Sequence, residues 1–254
     1  MGKRRPWNIR VILPPLRGKM TLFFYKMEYM KCVIFAAGKG TRMGEVTRTI
    51  PKPLIEICGR PLMGHILDAL PTEVGEIVIV TGHLDDVIKD RFGSDFKGRN
   101  IEYIGQKEDM PGTGGALWSV KEAVGRERFM VLNGDDIYGS DFLKILAGES
   151  FAFGVSDKEW DGYLSVIIDD EGYVKGLENK EGKKNVAVGA YVLDGDIFAR
   201  ELIKGKSGEY NLPRTIMGMA DIKKIKAVST DRWISVNCPE DIKKAEEFLR
   251  FSGI

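Results

Sequence analysis

From Met30 onward, short apolar and β-branched runs alternate with segments whose apolar positions recur about every three or four residues, the spacing of one helix face. The order is KCVIFAA, RPLMGHILDAL, EIVIVTG, LDDVIKDRF, IEYIG, GGALWSVKEAV and RFMVLNGD. Strand followed by helix, repeated, predicts an α/β fold with a Rossmann-like, mostly parallel sheet and helices on both faces. Sheets of this kind take ligands beyond the carboxyl ends of their strands, where strand order reverses. The loop after the first strand, and the loop Asn133-Gly134-Asp135-Asp136 after the strand Phe129 to Leu132, are therefore expected at one rim.

Past about Ser150 the pattern changes. FAFGVSD, YLSVIID, YVKGLEN and VAVGAYVLD follow closely on one another, with turn signals such as Asp170-Glu171-Gly172 between them, and predict an antiparallel subregion. A helix from about Gly195, another near Glu209 to Met219, the strand IKKIKAVS and a final helix PEDIKKAEEFLRF close the chain. Pro239 suits a first helical position and Asp241 a first turn. Residues 30–254 are expected to form a single domain with halves at 30–150 and 151–254, behind an N-terminal basic extension, 1–29.

With 254 residues, 43% of them apolar, the chain can fill a real core. No run approaches the ~18 consecutive apolar residues of a membrane span. Cys32, Cys58 and Cys238 form no CxxC and leave one over in any disulfide scheme, so a reducing, cytoplasmic setting is expected. Charge is uneven. Residues 1–29 hold seven of the 38 Lys and Arg but one of the 37 acids, leaving 31 bases against 36 acids in the body. A mildly acidic body speaks against nucleic acid as a partner. The arm's apolar stretch MTLFFY is short for a signal-peptide core and has no small-residue cleavage site, so the arm reads as a dispensable extension rather than a membrane-surface tail. His65 and His83 join no Cys/His/acid cluster at zinc spacing.

The chemistry is concentrated in VIFAAGKGTRMGEVTRTIPKPL, Val33 to Leu54. Gly38, Gly40 and Gly44 can turn with positive φ and point N–H groups inward, as phosphate cradles do. Arg42 adds a forked cation, and Lys52 is presented from a stiff segment between Pro51 and Pro53. Several amides with two cations describe a polyphosphate site. The G-x-x-x-x-G-K-[ST] loop is missing, and the dinucleotide pattern G-x-G-x-x-G is replaced by G-x-G-x-x-x-G followed by helix-breaking TRTIPKP.

AAGKGTRMG followed by PKPL resembles the signature of sugar-1-phosphate nucleotidyltransferases, which make nucleotide sugars from a nucleoside triphosphate and a sugar 1-phosphate; the likeness runs from about Met30 to the C-terminus. That resemblance implies that Phe35, Ala36, Ala37 and Gly38 contact the nucleoside, that Gly40, Thr41 and Arg42 wrap the phosphates, and that Lys52 reaches the α-phosphate in the transition state. Gly112-Thr113-Gly114-Gly115-Ala116 resembles the family's base-binding loop, and a helix N-terminus follows it. Gln106, one residue further upstream than in relatives, is either the reader of the pyrimidine edge or an ordinary surface glutamine. The Asp after Gly134 implies a Mg²⁺ ligand, Asp135, with Asp136 either beside it or facing solvent; Mg²⁺ commonly takes one or two carboxylates plus substrate phosphates. In the closing motif Trp233-Ile234-Ser235-Val236-Asn237, Ser235 stands where some relatives have Asp, and Asn237 matches the alternative metal position. Asn237 is also a natural cap for the last helix.

On the acceptor side, residues 151–254, the likeness thins. Asn179 and Lys180 stand at the family's Glu-Lys pair, with Glu178 adjacent; Lys180 keeps the phosphate cation. Ala187-Val188-Gly189 stands where relatives have Asn-Ala-Gly or Asn-Thr-Gly, and Ser165 where many have Gly. The implied reaction is attack by the acceptor phosphate on the α-phosphorus of a nucleoside triphosphate, with Arg42, Lys52 and Asp135 catalytic and Mg²⁺ on Asp135 and Asn237. The frayed acceptor motifs also permit a cytidylyltransferase acting on phosphocholine or an inositol phosphate, and a silent nucleotide-sensing relative is a third reading. Homo-oligomers are common in such enzymes.

Overall fold

The strand Met30–Phe35 (β1) is apolar at nearly every position because both of its faces are covered. Cys32 and Ile34 join a core with Ile66, Leu67, Phe142 and Leu143, while Val33 joins an opposite core with Leu117, Phe153 and Ile216. Helices α1 (Leu62–Ala69) and α5 (Ser140–Gly148) supply the first layer, and α3 (Thr113–Ser119) and α6 (Leu212–Met217) the second. α2 (Asp85–Phe92) joins the first through Ile88 and α4 (Lys121–Val124) the second through Val124, and α7 (Pro239–Ser252) ends the chain, opening at Pro239 as expected. The computed structural model describes residues 10–12, 22–24, 29–158, 160, 162–179, 184–205 and 207–252.

β1 pairs in parallel with β2 (Val74–Thr81) on one side and β4 (Phe129–Asn133) on the other; β3 (Arg99–Gly105) lies parallel beyond β2. Strand order in this block is β3-β2-β1-β4, so it reverses between β1 and β4. Outside β4 the sheet continues antiparallel through β9 (Val186–Leu193), β7 (Ser165–Ile168) and β8 (Val174–Glu178). The predicted antiparallel subregion contains one exception. β6 (Ala152–Ser156) runs antiparallel to β9 but parallel to β10 (Lys226–Thr230), which arrives through the long connection carrying α6. That last strand is shorter than IKKIKAVS, since the N–H groups of Ile222 and Lys223 donate back to Met219 O. Strands Arg10–Ile12 and Leu22–Phe24 pair with each other in a separate two-stranded sheet. The other basic residues expected in the arm, Lys3, Arg4, Arg5, Arg17, Lys19 and Lys26, lie outside the described residues.

A small antiparallel ladder, unseen in the sequence, joins β5 (Asp136–Tyr138) to β11 (Trp233–Ser235). Ile137 and Ile234 seat it, with Val236, Ala245 and Leu249, against Ile57 and Leu62. This third core holds both strands of the ladder against α7. Among the described residues no helix is long and apolar enough to cross a membrane.

Candidate active site

Where strand order reverses, β1 and β4 end side by side, with Phe35 opposite Asn133. Gly134 N–H donates to Phe35 O at 2.9 Å, and a Cβ at position 134 would lie 2.3 Å from that oxygen, so the approach requires glycine. Above this junction opens a cleft of about 890 Å³, walled by Phe35, Ala36, Ala37 and Gly38 on one side and by Asn133 to Asp136 on the other. Its size is that of a small-molecule site.

Of the three glycines expected to turn with positive φ, Gly40 and Gly44 do, both at 64°. Gly38 does not; its contribution is room, with nothing within 4 Å of where a Cβ would stand. The chain winds as a 3₁₀ stretch, Thr41–Arg48, kinked at Gly44, and the stretch stops as the helix-breaking TRTIPKP begins. Thr47 Oγ1 donates to Gly40 O at 2.8 Å and closes the turn. Arg42 lines the cleft, whereas Gly40 and Thr41 shape the turn from outside its wall. Lys52 opens the short 3₁₀ turn Lys52–Leu54, with Pro51 before it and Pro53 after, and is only 8% exposed.

The cations of this loop meet the opposite wall. Lys52 Nζ lies 2.7 Å from Asp135 Oδ2, and Arg42 Nη2 donates to Asn237 Oδ1 at 2.9 Å. The β5–β11 ladder brings the two oxygen donors together, and Val236 N–H donates to Asp135 O at 2.9 Å just beyond it. Asn237 does not cap α7. Asp241 does, its carboxylate accepting from the backbone N–H groups of Asn237 and Cys238 at 2.9 and 3.2 Å, which leaves the Asn237 side chain to the cleft. Asp136 is 2% exposed rather than solvent-facing. Burial, then the charge of Asp135, pushes its carboxyl up to about 8, and Tyr138 Oη donates to it at 3.0 Å.

In the second glycine loop Gly112 and Thr113 line the cleft, and its glycines also meet neighbouring backbone. A Cβ at Gly112 would lie 2.5 Å from Tyr210 O, and one at Gly115 would lie 1.7 Å from Met110 O. These glycines therefore admit neighbouring backbone rather than only a flat ligand. Gly114 N–H, one of the helix-end donors, is taken by Tyr210 O at 2.9 Å, and Thr113 Oγ1 accepts from Leu212 N–H at 3.1 Å. Gln106 lines the cleft and its Nε2 donates to Met110 O and Gly112 O at 2.8 and 3.0 Å, stapling the loop from below.

Residues 31–249 match the model of the family described as nucleotidyl transferase. The chain belongs to that family. It is 31% identical over 221 residues to the D-glycero-alpha-D-manno-heptose 1-phosphate guanylyltransferase of Campylobacter jejuni, covering 84% of this chain and 96% of that protein. It is 32% identical over 231 residues to the bifunctional protein GlmU of Methanocaldococcus jannaschii, covering 87% of this chain but 54% of the relative, so it spans about half the length of that protein. In fold it is similar to UDP-glucose pyrophosphorylase complexed with UDP-glucose, with a TM-score of 0.76 at 22% identity over 88% of this chain and 99% of that one.

Of the residues expected to hold an acceptor, Gly189 alone of those described lines the cleft. Gly189 lines the cleft with φ of 64°, and a Cβ there would lie 2.1 Å from Asn133 Nδ2 and 2.9 Å from Asp136 Oδ2. Ser165 is buried in the β7 ladder, and Asn179 is exposed with its Oδ1 accepting from Arg214 Nη2 at 3.3 Å; neither lines the cleft. Lys180 lies outside the described residues. What sequence reasoning missed is an aromatic wall of Trp160, Tyr163 and Trp233, with ring centroids 5.2 to 6.1 Å apart. Burial raises the Tyr163 hydroxyl to about 12, so it stays protonated at neutral pH. Nothing in their spacing distinguishes these rings from core aromatics.

Proposed function

We propose that residues 30–254 transfer a nucleotidyl group from a nucleoside triphosphate to a sugar 1-phosphate, releasing an NDP-sugar and pyrophosphate, with 30–150 as the nucleotide half and 151–254 as the acceptor half. One observation carries this reading. Lys52, from its short 3₁₀ turn, and Arg42, from the glycine turn before it, meet Asp135 and Asn237 across the cleft at 2.7 and 2.9 Å, at the strand-order reversal. Two cations facing two hard oxygen donors suit a triphosphate carried with a divalent cation. The sugar 1-phosphate acceptor is supported by the heptose 1-phosphate guanylyltransferase among the relatives.

In this reading the Phe35 to Gly38 wall faces the nucleoside, Gly112 and Thr113 border the base, and Gln106 offers its Oε1 to a base N–H because its Nε2 is committed to the loop. Arg42 holds the departing pyrophosphate and Lys52 the α-phosphoryl oxygens. The acceptor phosphate has its second pKa near ~6 and so arrives ionised, which leaves alignment and charge neutralisation as the protein's work. Asp135 and Asn237 fit Mg²⁺, being oxygen donors few enough to leave places for water and phosphates; no cluster of three His, Cys, Asp or Glu suited to a softer metal occurs among the described residues. When bound there, Mg²⁺ would screen the repulsion between the two phosphates. A matrix of UTP, dTTP, CTP and GTP against sugar 1-phosphates, phosphocholine and inositol phosphate, read by pyrophosphate, tests the proposal. Pyrophosphate is expected with at least one sugar 1-phosphate. Release only with the phospho-alcohols, or with none, overturns the acceptor or the whole reading.

A further inference from the structure

Ser235 closes β11, is 7% exposed, and sits opposite Asp136 in the ladder. It stands beside Asn237, whose amide has three partners. Nδ2 donates to Ser235 Oγ and to Tyr163 Oη, each at 2.9 Å, and Oδ1 accepts from Arg42 Nη2 at 2.9 Å. An amide rotated by half a turn exchanges its oxygen and nitrogen. The guanidinium of Arg42 has donors only, so the rotated amide would set N–H against N–H.

Resting on the reading of Asn237 as a metal ligand, we infer that Ser235 and Tyr163 are positioning residues: they accept both hydrogens of the Asn237 amide, while the donor-only guanidinium of Arg42 selects its oxygen, and together they keep the carbonyl oxygen turned into the cleft. A carboxylate at 237 would need no such help, because its two oxygens are equivalent. An amide has a wrong face, and Mg²⁺ takes oxygen, not amide nitrogen. Ser235, which as a direct ligand would be poor, thereby acquires a role through its neighbour.

The test measures Mn²⁺ bound in the presence of inorganic triphosphate, read from the electron paramagnetic resonance signal of the free ion. Ser235→Ala is expected to weaken binding about 10-fold, as loss of a ligand's orienting partner typically does, and Ser235→Thr to restore it. In an Asn237→Asp background, Ser235→Ala should cost nothing, since no wrong face remains. A purely structural role for Ser235 would lower binding in both backgrounds. That result, or no loss in the Asn237 background, overturns the inference. Unchanged binding in Asn237→Ala, or none in the unmodified protein, instead overturns the metal reading on which it rests.

Discussion

Replacing Lys52 by alanine is expected to lower kcat about 10²–10³-fold, the loss seen when one preorganised donor to a developing oxyanion is removed. The KM for the nucleotide should move much less, because the effect belongs to charge that builds on the α-phosphoryl group in the transition state. Lys52→Arg should not rescue. The side chain is held in a slot 8% exposed, from backbone fixed by Pro51 and Pro53, and a planar fork neither fits that slot nor substitutes for a point charge. Melting temperature and circular dichroism report whether the variant is folded. A folded Lys52→Ala with kcat within about threefold of the parent would remove Lys52 from the transition state, far short of the loss of an oxyanion donor.

Asp135→Asn is the second large effect. It keeps the shape but loses the charge, and turns either an oxygen or an N–H toward the Lys52 ammonium 2.7 Å away. The Mg²⁺ concentration giving half-maximal rate should rise by at least about 10–100-fold, the range for losing a mere partner of a ligand, and kcat should fall with it. Because Lys52 and Asp135 touch, their effects should not add: the double variant should be less impaired than the product of the single losses predicts. Full activity of Asp135→Asn at unchanged Mg²⁺ would move the metal elsewhere.

Much of this site was legible because the chemistry sits in short continuous strings. GTRM with PKPL contains both cations, and Asn-Gly-Asp-Asp contains the acid, each directly after a strand that periodicity identifies. The rest depends on partners far apart along the chain. Arg42 and Asn237 are 195 positions apart and Lys52 and Asp135 are 83, and no local pattern fixes such pairings. The second glycine loop shows the same limit. Its glycines looked like a surface for a base, yet Gly112 is required by Tyr210 O, a backbone atom of the other half. Asn237 could be read as cap or ligand until Asp241 was seen to hold the cap. The parallel β6–β10 pair was hidden because a strand's direction is set by its connection, not its composition.

The most direct measurement is anomalous diffraction from crystals grown with Mn²⁺ and an α,β-methylene analogue of the nucleotide that the activity matrix selects. The account predicts one manganese peak at coordination distance from Asp135 and Asn237, with the triphosphate between that peak and the turns bearing Arg42 and Lys52. Nucleotide bound with its phosphates away from that turn, or manganese bound elsewhere, would contradict it.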